Sequence, residues 1–559
     1  MISPLSLKQL RELLFPIQYG ADGRMSLRLT IHHAVYFLLL FVLACAQPIS
    51  NWLMSGMEIL LAVNWALEWD VRRKWQRGLH SPLLGAFLLL MTVHLIWIAG
   101  NDNVAYGFND LFKKLPLLAI PLVVLTSRPL RREQGWFIMG CYVITVFITS
   151  IVGYVRWLTM PDLPYRDIIP YISHIRFSLN VCMAILLLTV FLYRRLQRRA
   201  KGDRQLSRLA DGVAVVMLLV LLYFLLVIRS YTGLVVLYVV AGVLLALCWK
   251  RIPKGRWLLL VIYVGAIGVL GSAVGCQVGN YYRPVPLLQQ PLATHTVNGN
   301  PYSHQHDGLM ENGNYVNDYI CHEELATEWA KRSTYSLADT TANGYSIFPT
   351  LIRYLNARGV AKDSVGMQLL TDADVAAIEQ GIANPVYVEG GQIQRMVYVM
   401  LFEYECYRAL HVVKDFTMLQ RFELWKNGWR VFLQHPLFGT GTGDVVDCCH
   451  AQLEHDNSPL AGTHKHTHNQ YLTLLITFGV VGVTLIVWAF VRAFRRQRLC
   501  TKPLFVGYLT IVLVSFLTED TLETLAGAVF CSFFFCFLAM LYSPTLPANS
   551  SSATSVPES

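Results

Sequence analysis

Apolar residues occur in long runs along this chain, separated by short polar and basic segments. A helix needs about 20 mostly apolar residues to cross the hydrocarbon core, where its backbone must satisfy its own hydrogen bonds. We predict about twelve transmembrane helices, the fourth of them short and the seventh and eighth nearly fused. They cover 31–48, 52–69, 82–99, 114–127, 136–157, 176–193, 210–228, 231–249, 257–275, 471–491, 503–518 and 521–542. The predicted fold class is an all-α polytopic membrane protein.

Clusters of Lys and Arg recur at every second loop between these runs, and such clusters mark the cytoplasmic side. They lie at 8–28, 72–77, 128–132, 194–208, 250–256 and 492–502. Both termini are therefore predicted to be cytoplasmic, and the one long hydrophilic segment lies on the outer face. The predicted domains are an N-terminal membrane bundle of about nine helices (1–275), an outer loop domain (276–470), about three C-terminal membrane helices (471–542) and a disordered tail (543–559).

Composition agrees with a membrane protein, since 54% of residues are hydrophobic and only 15% are charged, against about 25% charged in globular proteins. The net charge of +10 could indicate nucleic-acid binding. However, 276–470 holds 13 Lys and Arg against 20 Asp and Glu, whereas the remainder holds 33 against 16. Topology and lipid headgroups explain the positive surplus, so we expect membrane lipid as a partner and no nucleic acid.

The outer segment is predicted to be a small, mainly helical domain. Residues 276–320 have the composition of a loop, whereas Tyr345–Arg358 and Gln392–Phe432 show helical spacing, and Thr371 is placed to cap a short helix. Five cysteines fall in this segment, where oxidation is permitted, and we expect one or two disulfides of open pairing. They are Cys276, Cys321, Cys406, Cys448 and Cys449.

Three motifs follow one another towards the tenth predicted span. They are Arg421-Phe-Glu-Leu-Trp425, His435-Pro-Leu-Phe-Gly-Thr-Gly-Thr-Gly443 and His464-Lys-His-Thr-His-Asn-Gln-Tyr-Leu472. Their order, with the span count and the single large loop, resembles the O-antigen ligase family, which includes the O-antigen polymerases. The resemblance implies a GT-C-like glycosyltransferase of the bacterial inner membrane, without a cofactor. Such enzymes move a glycan from undecaprenyl diphosphate to an acceptor on the periplasmic face, which in ligases is the lipid A core of lipopolysaccharide.

A base for the acceptor hydroxyl is the first chemical requirement of such a transfer. His468 matches the family's histidine by its position before Asn469 and the tenth span, and an imidazole with a pKa near 6.5 accepts protons at neutral pH. His464 or His466 is the base if the register differs. A histidine that only hydrogen-bonds at the interface is the structural alternative. By analogy the transfer is a single displacement that inverts the anomeric centre.

Cations for the leaving diphosphate are the second requirement. Arg176 opens the sixth span from outside, and Arg229 occupies the outer turn between the seventh and eighth spans. Both match positions of functional arginines in the family, the second loosely, and guanidinium offers paired donors to phosphate. Snorkelling at the interface is the alternative. Arg421 and Trp425 share one helix face, which fits phosphate or sugar binding about as well as packing.

Polar residues near the outer ends of the last spans complete the predicted substrate site. Asn469 follows His468, while Glu519 and Asp520, with Glu523, lie between the last two spans. The family has an acidic residue in this region, where a carboxylate orients the base, binds acceptor hydroxyls or is simply solvated. The weaker cationic candidates are His174 and Lys114.

Two further patterns near the third motif have structural explanations. Seven Cys and His residues raise the hypothesis of a metal, but their spacing matches no common zinc pattern and we expect none. They are Cys448, Cys449, His450, His455, His464, His466 and His468. The turn with Gly439, Gly441 and Gly443 lacks the Lys-Ser/Thr of a phosphate loop. We expect its glycines to allow positive φ or close backbone approach, shaping the pocket above His468.

Two alternative functions remain open at this point. One is a polymerase of the same superfamily, whose acceptor is another lipid-linked repeat. The other is a transporter or flippase with the outer domain as a cap. Transporters place ionisable residues near the bilayer midplane and often contain repeated halves. Here the ionisable residues gather at the outer ends and no repeat is visible, which favours chemistry at the outer interface.

Overall fold

The computed structural model describes residues 16–18, 25–160, 163–202, 207–251, 255–283, 292–305, 308–341, 343–413, 416–463 and 465–542. The predicted disordered tail and His464 lie outside the described residues. Helices dominate the described part of the chain, and its strands form a single two-stranded antiparallel ribbon. These findings agree with the predicted all-α polytopic fold.

Each of the twelve predicted spans coincides with a helix. The first eleven helices are α1 (Leu27–Ala46), α2 (Asn51–Leu67), α3 (Val71–Leu79), α4 (Pro82–Ile96), α5 (Val104–Lys113), α6 (Pro116–Thr126), α7 (Arg132–Thr159), α8 (His174–Ala200), α9 (Arg208–Val227), α10 (Tyr231–Cys248) and α11 (Arg256–Tyr281). The ribbon follows, with β1 (Met310–Glu311) paired to β2 (Asn314–Tyr315).

The remaining helices form the outer segment and the C-terminal part. Those of the outer segment are α12 (His322–Ala330), α13 (Ile347–Arg358), α14 (Ser364–Gln368), α15 (Asp372–Glu379), α16 (Val386–Glu389), α17 (Gln392–Leu410), α18 (Thr417–Gln434) and α19 (Val445–His455). The last three are α20 (Gln470–Arg496), α21 (Pro503–Ser515) and α22 (Leu525–Tyr542).

Eight of the described helices are long and apolar enough to cross a membrane, and a ninth span results if the bent pair α3 and α4 is counted as one. The eight are α1, α7, α8, α9, α10, α11, α20 and α22. The predicted spans at α2, α6 and α21 are helices of 17, 11 and 13 residues. The chain is therefore a multi-pass membrane protein, and the number twelve stays a prediction.

The chain divides into two compact units. The first comprises residues 1–254, 425–452 and 464–559, and the second comprises 255–424 and 453–463. In the first unit α22 packs on α6, and nearly all of its side chains are buried. A helix that is apolar all round belongs at the centre of a bundle. The turn that leads into this central helix is thereby fixed in position.

The second unit has its own apolar core around α13, with Trp329, Leu351 and Ile378 buried. Helix α13 confirms the predicted helix over Tyr345–Arg358, and Thr371 forms the capping box of α15. The predicted helix over Gln392–Phe432 is wrong in one respect, because it is two helices. His411 adopts a left-handed conformation after α17 and ends it.

The loop predicted over 276–320 is interrupted by regular structure. Helix α11 continues to Tyr281, and the β1–β2 ribbon lies within the same segment. Asn312 and Gly313 connect the two strands with positive φ angles of 52° and 77°. Asn-Gly is a typical hairpin turn because both residues tolerate such angles. The last turns of α11 were not predicted to be helical, because they adjoin the polar segment.

The expectation of disulfides is wrong in this structure. All twelve cysteines lie in described segments, and each has a free thiol. Cys321 and Cys406 are 2% and 4% exposed, which means that they pack as small apolar residues, while Cys276 is exposed on α11. Spacing along the chain could not show that these thiols have separate environments.

Candidate active site

The third motif ends in a sharp turn at the beginning of α20. Asn469 is extended and its side-chain oxygen accepts the N–H of Leu472 at 3.1 Å, which caps the helix. His468 has a left-handed backbone with φ of 52°, a conformation uncommon outside glycine but enriched for histidine. This backbone lets the N–H of His468 donate to Oδ2 of Asp520 at 2.7 Å. The predicted base and one predicted carboxylate therefore meet.

Asp520 is a buried anchor for this turn. Its other oxygen, Oδ1, accepts the hydroxyl of Thr473 at 2.8 Å, and Thr473 also shares a 2.7 Å hydrogen bond with Thr467. Burial, reinforced by the negative charge of Glu523, raises the pKa of Asp520 above its ordinary value. Both carboxylate oxygens are thus occupied by the segment around His468, so Asp520 acts on the histidine through its backbone.

Arg176 is held by the same loop. Its guanidinium donates to the hydroxyl of Thr521 and to the carbonyl of Asp520, each at 3.1 Å, and lies 3.9 Å from Oε2 of Glu519. The residue is 8% exposed at the start of α8. A buried guanidinium must be paired, and here the pairing joins α8 to the loop that holds His468. The structure therefore brings together four of the predicted site residues: Arg176, His468, Glu519 and Asp520.

A buried ion cluster continues from this loop. Glu523 accepts the ammonium of Lys114 at 2.6 Å, and Lys114 also donates to Asp110 at 2.5 Å. The amide of Gln470 donates to Glu523 at 3.1 Å. Burial opposes ionisation of Glu523, but Lys114 and Gln470 outweigh it and lower the pKa of Glu523 to about 2. Lys114, predicted as a weak diphosphate candidate, is instead the counterion of two carboxylates.

Arg229 lies at the turn between α9 and α10, as predicted. Its backbone is left-handed, with φ of 49°, and its side chain is exposed. The guanidinium lies 5.6 Å from the ring centroid of Tyr165, and that ring packs edge-on against His174 at 5.8 Å. His174 is the first residue of α8 and precedes Arg176 by two positions. The two predicted arginines therefore belong to one region of the first unit.

The Arg421 and Trp425 pair is on α18, and the two residues fall in different units. Trp425 lies in the first unit and packs with Leu472 and Ile476 of α20. Gly428 permits this contact, because an added Cβ would lie 2.9 Å from atoms of both α20 residues. For Trp425 these contacts support the packing interpretation, and a role in binding phosphate or sugar stays a prediction. Arg421 lies in the second unit.

The glycine-rich turn contacts a break in α20. Gly479 has φ of 59° and interrupts that helix, which leaves carbonyl groups to be satisfied. The N–H of Gly441 donates to the carbonyl of Thr477 at 3.0 Å, and a Cβ on Gly439 would lie 2.4 Å from the same oxygen. The expected positive φ and close backbone approach are confirmed. The glycines of this turn contact the helix break at Gly479, whereas His468 lies just before the N-terminal end of α20.

The Cys and His residues that raised a metal hypothesis form no coordination site in the described part of the chain. Among those residues, no group of three His, Cys, Asp or Glu side chains could hold a metal ion. Cys449 is buried, and its carbonyl accepts the amide of Asn427 at 3.0 Å. Cys448 and Cys449 therefore take part in packing between α18, α19 and α20.

Several residues of the site were not identified from the sequence. Thr473 lies in the apolar tenth predicted span and Gln470 directly precedes it, and a single polar residue at such a position carries little signal. Asp110 precedes Lys114 by four residues, and this spacing on a helix does indicate an ion pair. Glu523, 409 residues from Lys114, could be paired with it only by the three-dimensional fold.

The fold and these contacts define a multi-pass helical membrane protein with a polar and ionic site at the start of α20. A family model described as O-antigen ligase matches residues 380–487. The match covers the three motifs and the start of α20, so the predicted resemblance to the O-antigen ligase family is confirmed over these residues. It supports an activity of the O-antigen ligase and polymerase superfamily, as a glycosyltransferase-like enzyme. No curated protein matches the chain.

Proposed function

We propose that this protein transfers a glycan from undecaprenyl diphosphate to lipid A core, or to another glycan acceptor, on the periplasmic face of the inner membrane. The observation that carries the proposal is the loop 519–521, which contacts both His468 and Arg176. One short loop thereby links a candidate base to a candidate cation. The family match covers residues 380–487, which include His468, and supports the assignment for that residue's segment.

His468 acts as the general base in this proposal. Its imidazole takes the proton of the acceptor hydroxyl, and the hydroxyl oxygen attacks the anomeric carbon of the donor sugar. The bond from that carbon to the diphosphate oxygen breaks on the opposite face, which inverts the anomeric configuration. General base catalysis of this kind contributes about 10²- to 10⁴-fold to the rate. Asp520 positions the histidine, because it holds its backbone.

The two arginines have different roles in binding the diphosphate. Arg229 is exposed, and we assign it to direct contact with the leaving diphosphate, where planar paired donors match phosphate oxygens. Arg176 adds positive charge close by and keeps the loop with Glu519 and Asp520 in place. Asn469 keeps the first turn of α20 formed. Arg421 and Trp425 remain proposed contacts for sugar or phosphate.

The test is a transfer reaction with purified protein in liposomes. Undecaprenyl-diphosphate-linked glycan is offered with lipid A core in one sample and with a second lipid-linked repeat in another. We expect glycan to be attached to lipid A core. NMR of the product should show an anomeric configuration opposite to that of the donor. Product only with the second repeat identifies a polymerase, and donor translocation without glycosidic bond formation identifies a flippase. Retention of configuration contradicts the single displacement.

A further inference from the structure

Helix α3 presents an unusual apolar face. Val71, Trp75 and Leu79, spaced four residues apart, are 59%, 69% and 69% exposed. The helix is bent by 87° from α4, so it runs across the direction of the following segment. An amphipathic helix with exposed Trp and Leu and nearby arginines is typical of a segment lying in the membrane interface. The predicted topology places it on the cytoplasmic side.

A cavity of about 830 Å³ adjoins this helix. It lies among α2, α3, α4, α6 and α20, and its walls include Leu88, Leu89, Trp488 and Ala489. Sites for small ligands have volumes of roughly 300–1,000 Å³ and mostly apolar walls. The cavity therefore has the size and lining for an apolar chain, and two of its lining residues, Leu88 and Trp488, are large apolar side chains that are also exposed.

Two arginines give the rim of the cavity positive charge. Arg492 and Arg496 line it from the last turns of α20 and are exposed. Within the described residues, no carboxylate lies within ion-pair distance of either guanidinium. Lys74, which also lines the cavity, is by contrast paired with Glu68 at 2.9 Å. Two guanidinium groups one helical turn apart suit a phosphate group.

We propose that this cavity is a binding site for one anionic phospholipid of the cytoplasmic leaflet. Its phosphate lies against Arg492 and Arg496, and an acyl chain follows the apolar wall at Leu88 and Leu89. Charge complementarity favours an anionic headgroup, since basic residues near the membrane surface attract anionic lipid. The site is at the opposite end of α20 from His468, so it is distinct from the proposed transfer site.

Native mass spectrometry of the purified full-length protein tests the proposal. The protein is mixed with equal amounts of phosphatidylglycerol and phosphatidylcholine that have identical acyl chains. We expect one retained phosphatidylglycerol, bound about tenfold more than phosphatidylcholine. The double variant R492Q/R496Q should lose this preference. R495Q is the matched control, because Arg495 is exposed on the same turn but does not line the cavity.

A second variant tests the apolar part of the site. Gly85 lines the cavity, and an added Cβ there would have no atom within 4 Å, so Gly85→Leu should fill the cavity without disturbing the helix. We expect it to expel phosphatidylglycerol at unchanged melting temperature. Equal retention of both lipids, or full retention by R492Q/R496Q, overturns the proposal. Displacement by glycerol phosphate alone, or preferential displacement by undecaprenyl phosphate, also overturns it in favour of a free phosphate or a polyprenyl lipid.

Discussion

At the scale of single residues, the side chain of Thr473 connects α20 to the anchor of the proposed base. Its hydroxyl donates to Asp520 at 2.8 Å, whereas the neighbouring buried hydroxyl of Thr477 donates to a carbonyl of its own helix at 2.7 Å. An unsatisfied buried acceptor costs about 1–3 kcal/mol. We expect Thr473→Val to reduce glycan transfer about tenfold, as measured with purified enzyme.

Thr477→Val is the matched control for that variant. Both substitutions remove one hydroxyl from the same face of α20, and both side chains are almost completely buried. We expect Thr477→Val to keep transfer within about twofold of the unmodified protein, since its hydrogen bond does not involve Asp520. Equal losses of transfer for the two variants would mean that Asp520 does not act through this contact.

Lys362 is expected to make the stability of the second unit depend on pH. It is fully buried and donates to Asn356 at 2.8 Å, and burial lowers the pKa of its ammonium to about 7. The folded unit thus binds fewer protons than the unfolded chain between about pH 7 and the ordinary lysine pKa near 10.5. Its stability should therefore rise with pH across this window, by at most about 1.4 kcal/mol per unit.

Hydrogen exchange of α13 at several pH values measures this dependence in the full-length protein. Lys362→Met should abolish the rise in protection between pH 7 and pH 10, because no buried ammonium then remains to be neutralised. Lys331→Met is the control, since the Lys331 side chain is 60% exposed, and it should keep the rise. A rise that persists in Lys362→Met would assign the dependence to another group.

At the scale of elements, the break in α20 is the feature on which the glycine-rich turn depends. Gly479 combines φ of 59° with ψ of −173°, a region open essentially only to glycine, and other residues there cost about 1–3 kcal/mol. A Cβ would also lie 2.3 Å from the carbonyl oxygen of Leu437. We expect Gly479→Ala to lower the melting temperature in detergent and the yield of inserted protein.

Gly140→Ala provides the comparison for the helix break. Gly140 lies inside α7, and a Cβ there would have no atom within 4 Å. Replacing a helical glycine by alanine is stabilising by up to about 1 kcal/mol when nothing clashes. The melting temperature of Gly140→Ala should therefore stay the same or rise. If Gly479→Ala behaves in the same way, the break is not required for the fold.

Most of the helices could be predicted from the sequence. Apolar run length was sufficient to place every predicted span on a helix, and Asn469 lies at the cap where the third motif meets α20. The break at Gly479 was not predictable, because one glycine in an apolar run is tolerated in ordinary helices. Helices α17 and α18 were merged because the polar residues around His411 do not disturb the helical period.

At the scale of the whole molecule, contacts distant in sequence determine the site. The hydrogen bond from His468 to Asp520 spans 52 positions, and the ion pair of Lys114 with Glu523 spans 409. The topology predicted from the sequence puts these residues near the outer membrane face, but it left open which of them pair. The central position of α22 determines the pairing, because it fixes the loop 519–523 beside α8 and α20.

We propose that His468, held by Asp520, is the base for glycan transfer. The most direct test measures transfer by purified His468→Ala, with His466→Ala as the control, after both variants are shown to insert and melt like the unmodified protein. His468→Ala should lose at least about 100-fold of the transfer rate, and undecaprenyl-linked glycan should accumulate in cells that carry it, while His466→Ala remains active. Unchanged transfer by His468→Ala would contradict this proposal.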